Sequence, residues 1–332
     1  MANVLVTGGA GYVGSVCCAE LLQQGHSVTV VDDLSTGFRD AVPSGAAFFQ
    51  MGIGDREALR SLVQNIRFDV VFHFAAKALV AESMTNPAFF FEQNVAQGIA
   101  MLEVMREAGV KKLVFSSSSA VYGISEKIPI QEDDPKKPIN AYGESKLIFE
   151  QMLHWYARAY GWSVIAFRYF NAAGATEERG ERHDPETHVI PLALDAAAGE
   201  RESFSIFGKD YSTPDGTCMR NYVHVLDIAR GHICALRRLD QPGMRAYNLG
   251  LGTSYSVQQI CEMVENVSGR SFPVRIATRR EGDPPILCAS PERIMQELGW
   301  KPELSSLEQI ISSAWQWKLK QSGAKRTLAS AR

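Results

Sequence analysis

Membrane-spanning segments are the first feature that this sequence lacks, because it contains no unbroken apolar stretch of about 20 residues. Its first residues, MANVLVTGG, carry neither the cationic region nor the cleavage site of a secretory signal peptide. We therefore expect a soluble, cytoplasmic protein with no membrane partner.

An excess of charge of one sign is also missing. The chain of 332 residues has 34 Lys and Arg against 37 Asp and Glu, which gives a net charge of −3. Without a basic surface to attract nucleic acid, we expect no nucleic-acid partner. Hydrophobic residues make up 45% of the chain, enough for one large α/β unit or for two lobes that share a core.

Cysteine pairs with metal-binding spacing are absent too. The six cysteines include the adjacent Cys17 and Cys18, but none forms a CxxC or another zinc-like motif. We interpret all six as small buried hydrophobic residues of a reducing compartment, and the sequence predicts no metal site.

Alternating strand and helix patterns fill the first half of the chain. Short apolar runs predict strands, and helical periodicity predicts the helices between them. The predicted strands are Asn3–Thr7, Ser27–Asp32, Ala47–Gln50, 69–74, 112–116 and 163–168, and the helices are 12–24, Arg56–Asn65, 89–108 and 142–160. Such alternation is typical of an α/β fold with a doubly wound parallel sheet.

A glycine-rich turn separates the first predicted strand from the first predicted helix. Gly8, Gly11 and Gly14 follow a GxxGxxG spacing. The first glycine allows a sharp turn, the second a close approach to a pyrophosphate, and the third close packing of the helix on the sheet. The helix N-terminus then offers free N–H groups and a positive dipole end to phosphates, so the motif predicts a dinucleotide site of the Rossmann type.

An acid at the end of the second strand indicates which dinucleotide is bound. Asp32 lies 18 positions after Gly14 and is followed by Asp33. A carboxylate at this place can accept hydrogen bonds from both ribose hydroxyls of adenosine, and it would repel a 2′-phosphate. The predicted cofactor is therefore NAD rather than NADP.

The second half of the chain is less regular and richer in loops. Helices are predicted at 223–239, 256–267 and 307–318. We predict a Rossmann domain over residues 1–171, to which 221–240 returns. A smaller mixed α/β substrate-binding lobe is predicted over 172–320, followed by a frayed polar tail over 321–332.

A Tyr-Lys pair and a serine form a candidate site of proton transfer. Tyr142 and Lys146 are four positions apart on a predicted helix, so their side chains lie on one face. A neighbouring lysine cation lowers the pKa of a phenol by about 2, which makes Tyr142 a candidate general base. Ser118 follows a predicted strand, and its hydroxyl is expected at the carboxyl edge of the sheet, where ligands bind in such folds.

Several long motifs in a fixed order make the sequence similar to a known family. The motifs are VLVTGGAGYVGS, HFAAKALVAES, the pair NV at 94–95, FSSSSAVYG, AYGESK, RYFNAAG, RNYVHVLDIA, YNLG and RREGD. Over nearly its whole length the chain resembles the extended short-chain dehydrogenase/reductase family, and within it the UDP-sugar 4-epimerases.

The resemblance implies an isomerase that interconverts UDP-glucose and UDP-galactose through a 4-keto intermediate, with NAD that is not consumed. It implies that Tyr142 is the general base at the sugar 4-hydroxyl, that Ser118 hydrogen-bonds this oxygen, and that Lys146 holds the nicotinamide ribose. Together with the glycine turn, the predicted cofactor contacts are Gly8, Gly11, Tyr12, Val13, Gly14, Asp32, Asp33, Phe74, Ala75, Ala76, Asn94, Ser116, Tyr142, Lys146 and Phe170. The predicted substrate contacts are Ser118, Tyr142, Tyr169, Asn171, His188, Val189, Ser205, Ile206, Phe207, Arg220, Arg280, Asp283 and Leu287.

The chain departs from the relatives mainly in the cofactor pocket. Many relatives have a lysine where this chain has Ala78, and Lys77, one place earlier, is expected to point elsewhere. Gly52 stands where relatives have an acid that reaches the adenine. RNY at 220–222 replaces the more usual RDY. Leu287 occupies the position that gates 2-acetamido sugars, so the sequence leaves the substrate range open.

Three other functions stay open at this point. They are 4-epimerisation of UDP-N-acetylglucosamine or a UDP-pentose, nucleotide-sugar 4,6-dehydration, and NAD sensing without catalysis. A dehydratase needs Asp-Glu after its catalytic Ser or Thr, where this chain has Ser119-Ala120, and sensors tend to lose the Tyr or Lys that this chain keeps. In relatives the helices at 89–108 and 142–160 pair as a four-helix interface, so the resemblance also implies a homodimer.

Overall fold

The structure is a computed structural model, and it describes residues 1–280 and 283–330. Its strands, in chain order, are β1 Asn3–Thr7, β2 Ser27–Asp32, β3 Ala47–Gln50, β4 Val70–His73, β5 Lys112–Ser118, β6 Ser163–Tyr169, β7 Asn171–Ala173, β8 Phe204–Phe207, β9 Met219–Arg220, β10 Tyr222–His224, β11 Gly243–Leu249, β12 Tyr255–Ser256, β13 Val274–Ala277 and β14 Ile286–Leu287.

The helices are distributed along the whole chain. They are α1 Tyr12–Gln23, α2 Arg56–Asn65, α3 Val80–Thr85, α4 Pro87–Phe91, α5 Gln97–Glu107, α6 Ala141–Tyr160, α7 Val189–Ala197, α8 Val225–Cys234, α9 Val257–Ser268, α10 Glu292–Leu298 and α11 Leu307–Ser330. In the described part of the chain, none of them combines the length and the apolar character that crossing a membrane requires.

A seven-stranded parallel sheet forms the centre of the molecule, in the order β11-β6-β5-β4-β1-β2-β3. This confirms the predicted α/β class with a doubly wound sheet. From β1 the chain adds β2 and β3 toward one edge of the sheet, and from β4 it adds β5 and β6 toward the other edge. A crevice therefore opens between the carboxyl ends of β1 and β4, where ligands bind in such sheets.

Alternation of side chains along the central strands builds one apolar layer on each face of the sheet. On β1, Val4 and Val6 belong to one layer and Leu5 to the other, all with no exposed surface. The layer that contains Val4 also contains Val225 and Ile228 of α8, which packs on α1. The segment after residue 220 therefore contributes to the core of the first lobe.

The second lobe has small sheets and a core of its own. Two parallel pairs, β7 with β10 and β8 with β13, accompany a three-stranded sheet in the order β12-β9-β14. Helices α7, α9 and α11 pack together around buried Ile260, Ile310 and Trp315. The limits predicted for the two domains stay a prediction.

Two predicted helices differ from the structure. The helix predicted at 89–108 consists of α4 and α5 joined by a π-helical stretch at Glu92–Ala96. The helix predicted to end at residue 318 continues to Ser330, through most of the segment expected to be a frayed tail. Contacts on both sides of residue 318 tie α11 to the end of α7: Lys318 Nζ donates to Asp195 and Glu200 at 2.5 Å each, and the Ser322 hydroxyl donates to Glu200 at 2.9 Å.

Candidate active site

A cleft of about 1180 Å³ opens at the carboxyl edge of the central sheet. We call its side formed by β5, β6 and α6 the inner wall. The opposite side is lined by second-lobe residues of 181–188, by Arg280 and by residues of 283–287, with parts of 207–220 packed behind them; together they are called the outer wall. The glycine turn and the loop after β2 close one end, so the cleft connects the predicted cofactor and substrate residues.

The glycine turn joins β1 to α1 at the end of the cleft. Gly8 has a φ of 75°, and a side chain there would collide with the backbone of Ala75. A side chain at Gly14 would collide with the carbonyl oxygen of Gly8. In residues 11–23, all of them described, α1 has neither a side-chain cap nor an acid in its first turn. Its first N–H groups and its positive dipole end are thus available to an anion.

Asp32 fixes the glycine turn to the loop after β2. Its Oδ2 accepts the N–H of Ala10 and its Oδ1 the N–H of Leu34, both at 2.9 Å. Burial raises the pKa of Asp32, and these two hydrogen bonds and the charge of Lys77 offset the rise in part. The carboxylate therefore lies in a rigid place at the rim where a ribose is expected.

The serine run at the end of β5 divides between two faces. Because side chains alternate along a strand, Ser116 and Ser118 line the cleft, whereas Ser117 donates to Glu150 behind the sheet. The Ser116 hydroxyl is hydrogen-bonded to the Tyr169 hydroxyl. Ser118 is placed at the edge of the sheet, as predicted.

Helix α6 brings its first turn against the end of β5. Its N-cap Asn140 accepts the N–H of Gly143 at 2.8 Å. A side chain at Gly143 would lie 2.5 Å from the carbonyl oxygen of Ala120, so only glycine permits this close approach. As a result the Tyr142 phenol lies close to the Ser118 side chain, which favours the ionised form of the phenol.

Lys146 follows Tyr142 by one turn of α6 and faces the same cleft. Its Nζ lies 5.8 Å from the centre of the Tyr142 ring and donates to the Ser116 carbonyl oxygen at 2.8 Å. The structure therefore brings Ser118, Tyr142 and Lys146 together on the inner wall.

Burial governs the ionisation of this pair. It raises the pKa of Tyr142, and the Ser118 side chain offsets this only in part. It lowers the pKa of Lys146 to about 7, against the opposing effect of the Glu150 carboxylate. The protein's own groups therefore do not lower the pKa of Tyr142 as expected, because desolvation of the buried phenolate is the largest effect on it.

Behind the inner wall lies what we call the buried network, formed by Ser117, Tyr122, Glu150 and Arg168. The side chains of Arg168 and Glu150 are each 5% exposed and are joined by hydrogen bonds of 2.9 and 2.6 Å. Arg168 also donates to the Tyr122 hydroxyl at 2.9 Å. A bidentate pair with further partners holds both charges in one geometry, which fixes β5, β6 and α6 relative to one another.

The outer wall carries charged side chains on loops and short strands. Arg220 forms an ion pair with Asp283. The guanidinium carbon of Arg280 lies 4.1 Å from the centre of the Phe207 ring. Leu287 lines the cleft and packs with Phe170 against the buried residues Val121, Tyr122 and Ile130. These positions suit a ligand with both a charged and a flat apolar part.

Most of the predicted site residues line the cleft. They are Gly8, Gly11, Tyr12, Val13, Gly14, Asp32, Asp33, Phe74, Ala75, Ala76, Ser116, Ser118, Tyr142, Lys146, Tyr169, Phe170, Asn171, His188, Arg280, Asp283 and Leu287. Among the described residues, the predicted ones that do not line it are Asn94, Val189, Ser205, Ile206, Phe207 and Arg220.

The structure shows where several of these exceptions lie. Ile206 is 1% exposed in the core of the second lobe, so its side chain does not reach the cleft, and a substrate contact at this position stays a prediction. Strand alternation places Ser205 and Phe207 on the other face of β8. The buried Asn94 side chain accepts the N–H of Lys77 and donates to the Lys77 carbonyl oxygen and the Ser145 hydroxyl. It therefore supports the cleft from behind.

Sequence reasoning also missed residues that line the cleft. Lys77, expected to point elsewhere, lines it and donates to Ser35 at 2.6 Å, close to Asp32. Glu181 and His183 line it beside His188. The position of Ser35 shortly after the strand-ending Asp32 could have indicated that it lies near the cleft. The loops that carry Lys77, Glu181 and His183 have no regular period, so the directions of these side chains could not be predicted.

Comparison with known proteins agrees with this geometry and confirms the resemblance. The model of the NAD dependent epimerase/dehydratase family matches residues 4–250. A UDP-glucose 4-epimerase of Streptococcus mutans is 49% identical over 319 residues, which cover 95% of this chain and 96% of that relative.

Solved structures agree as well. A UDP-glucose 4-epimerase from Brucella ovis in complex with NAD has a TM-score of 0.92 and 43% identity over 95% of this chain and 98% of that one. A UDP-glucose-4-epimerase from Stenotrophomonas maltophila, with bound NAD and formylated UDP-arabinopyranose, has a TM-score of 0.93 and 38% identity over 98% of this chain and 100% of that one. The chain therefore belongs to the NAD dependent epimerase/dehydratase family.

Proposed function

We propose that the protein interconverts UDP-glucose and UDP-galactose, with NAD as a cofactor that is regenerated in each turnover. One observation carries the proposal: Ser118, Tyr142 and Lys146 lie together in a cleft that continues to the glycine turn and Asp32. The relatives named UDP-glucose 4-epimerase support the same activity, since they match almost the whole chain.

The residues at the closed end of the cleft fit NAD. The α1 N-terminus and the glycine turn offer N–H groups to the pyrophosphate, and Asp32 offers carboxylate oxygens to the adenosine ribose. Bound NAD⁺ supplies a hydride acceptor, and after hydride transfer a hydride donor, next to the sugar C4.

On the inner wall, Tyr142 takes the proton of the sugar 4-hydroxyl and later returns it, so that the sugar passes through a 4-keto form. Ser118 donates a hydrogen bond to the same oxygen and keeps it in reach of the phenol. Burial raises the pKa of Tyr142, so the protein's own groups do not make it a base at neutral pH. When NAD⁺ is bound, the positive charge of its nicotinamide would favour the phenolate, in addition to the charge of protonated Lys146.

On the outer wall, Arg220 and Arg280 are proposed to bind the diphosphate of the substrate, because guanidinium groups match phosphate oxygens in charge and geometry. Arg220 forms an ion pair with Asp283, so a bound diphosphate would replace the Asp283 carboxylate as the anionic partner of Arg220. Asn171, Tyr169, His188 and Phe207 are proposed to complete the substrate contacts.

Leu287 is proposed to set the range of sugars. It lines the cleft and lies on the short strand β14, whose backbone oxygen at Leu287 accepts the N–H of Asn221 at 3.0 Å, so its place is fixed. A larger side chain there narrows the space beside Phe170. We expect Leu287→Tyr to reduce turnover of 2-acetamido sugars far more than turnover of UDP-galactose.

The experiment is a coupled epimerase assay with UDP-galactose, UDP-N-acetylgalactosamine and UDP-arabinose in parallel, on the wild type and on Leu287→Tyr. The proposal expects UDP-galactose to be a substrate, and it expects the ratio of N-acetylated to plain sugar turnover to fall in the variant. Leu287→Ile serves as the control of equal size. No epimerisation of UDP-galactose would overturn the function, and an unchanged ratio would overturn the role of Leu287.

A homodimer and a cytoplasmic location are proposed as well. On α6, Trp155 and Tyr160 are 60% and 45% exposed, which leaves apolar surface suited to a second copy of the chain. Light scattering of the wild type and of Trp155→Glu tests this, with a dimer expected only for the wild type. The six cysteines are free thiols, which suits a reducing compartment.

A further inference from the structure

Segment 181–188, on the outer wall, gathers three possible metal ligands. We call Glu181, His183 and His188 the Glu-His cluster. One ligand atom from each, a carboxylate oxygen or a ring nitrogen, lies within 4.8 Å of the other two. The Glu181 carboxylate is hydrogen-bonded to His183 Nδ1, and its other oxygen lies 4.0 Å from His188 Nδ1.

A fourth possible ligand lies next to the cluster. Glu186 Oε1 is 2.8 Å from His188 Nδ1. Two imidazoles with one or two carboxylates are a donor set typical of Zn²⁺ and similar first-row ions. Bonds of about 2.0–2.2 Å would place two such ligands about 3.4 Å apart. The wider separations in the cluster would then shorten, and the hydrogen-bonded Glu181–His183 pair would open slightly.

The surroundings favour a cation at this place. The Glu181 side chain is 12% exposed, and its backbone oxygen accepts the indole N–H of Trp317 at 3.2 Å, so the anionic ligand is anchored in the protein. The neighbouring cations are directed elsewhere, since Arg182 pairs with Asp40 at 2.7 Å and Arg179 with Glu178 at 2.7 Å. Carboxylates that stabilise positive charge on the two rings would stabilise a metal ion in its place.

We propose that Glu181, His183 and His188 bind one divalent metal ion of the Zn²⁺ class at the rim of the cleft, with Glu186 as an additional ligand. All three residues of the cluster line the cleft, as does Tyr12 of the glycine turn. A bound ion would therefore fix the conformation of segment 181–188 at the end of the cleft where the glycine turn lies. The proposal does not depend on the proposed epimerase activity, and either one can fail without the other.

The experiment titrates the full-length protein, first dialysed against EDTA, with Co²⁺ and then displaces Co²⁺ with Zn²⁺. We expect one equivalent of Co²⁺ with visible d–d bands and without a thiolate-to-cobalt charge-transfer band. His183→Ala and His188→Ala should each weaken binding by about tenfold or more. Glu181→Gln, which keeps the size of the side chain, should do the same. His154→Ala removes an exposed histidine of α6 and should leave binding unchanged.

The remaining outcomes contradict the proposal. They are the absence of stoichiometric Co²⁺ binding, equal binding by the wild type and by the double variant His183→Ala with His188→Ala, and a charge-transfer band that reveals cysteine ligands. Circular dichroism and thermal melts of the metal-free variants separate a lost ligand from a lost fold. If a histidine variant fails to fold, Glu181→Gln decides the question.

Discussion

The two walls of the cleft hold their charged residues in different ways. On the inner wall, Glu150 and Arg168 are almost completely buried and every polar atom of the pair has a partner. On the outer wall, Asp283 is 27% exposed in its pair with Arg220, and Asp210 is 77% exposed in its pair with Arg279. Buried pairs are costly to break and exposed ones contribute little, so the inner wall fixes geometry, whereas the outer wall can exchange partners.

This difference matches the two tasks of the cleft. Proton transfer between Tyr142 and the sugar needs a fixed distance, and the buried network supplies a rigid support for it. Binding a nucleotide diphosphate needs cations that can change their anion. Arg280, which is exposed, and Arg220, whose partner Asp283 is 27% exposed, supply those. Four variants test or sharpen this comparison, beginning with the largest expected effect.

Glu150→Gln tests the rigidity of the inner wall. The variant leaves the Arg168 guanidinium buried without its anion, which should reduce the free energy of unfolding by about 3–5 kcal/mol. Urea denaturation of the variant measures this. Arg279→Gln, which breaks an exposed pair of the outer wall, is the matched control and should change stability by less than about 1 kcal/mol. Equal effects in the two variants would contradict the comparison.

Restoring neutrality sharpens the same test. In Glu150→Gln with Arg168→Met, no buried charge is left unpaired, so much of the lost stability should return. Activity should stay low, because the carboxylate that favours the charged form of Lys146 is still missing. Full recovery of activity would show that the buried network acts only on stability.

Lys146→Met should abolish activity and stabilise the fold by about 1–2 kcal/mol at pH 7, because it removes a buried amine that the fold desolvates. Burial lowers the pKa of Lys146 to about 7 from 10.5, so between these values the unfolded chain binds more protons and wild-type stability rises with pH. The advantage of the variant should therefore shrink as pH rises from 7 toward 10. Thermal melts over this range measure it, with the exposed Lys112→Met as control; an advantage that grows with pH would contradict the account.

Gly52 lies at the cofactor end of the cleft, and Gly52→Asp should have the smallest effect of these variants, a change in NAD affinity. Gly52 lines the cleft, and a Cβ there meets no described atom within 4 Å, so an acid fits without strain. One new hydrogen bond of about 1 kcal/mol to the adenine end of NAD corresponds to about fivefold tighter binding. Calorimetric titration of NAD compares it with Gly52→Ala, which should bind as the wild type does. Equal affinity of both variants would show that an acid at this place does not reach the cofactor.

The inner wall could be predicted from the sequence in detail. Ser118 ends a strand, and Tyr142 and Lys146 are one helical turn apart, so regular periods fix their relative positions. The direction of the pKa shift of Tyr142 could not be predicted for the protein's own groups, because desolvation depends on burial that residue spacing does not reveal.

The outer wall could be predicted only through the resemblance. Its residues lie on loops and on strands as short as two residues, where no period fixes the direction of a side chain. Ile206 was therefore assigned to the substrate although it faces the core, and Lys77 was expected to turn away although it lines the cleft. The Glu-His cluster has no helical or strand spacing, so nothing in its sequence pattern pointed to it.

The central claim is that Tyr142 on the inner wall transfers the proton during epimerisation. The most direct measurement is the turnover of UDP-galactose by Tyr142→Phe, together with the NAD content of the purified variant. We expect turnover to fall by about 10²- to 10⁴-fold, with NAD bound as in the wild type, because the change removes one hydroxyl from an otherwise intact cleft. Turnover close to that of the wild type, with NAD still bound, would contradict the account.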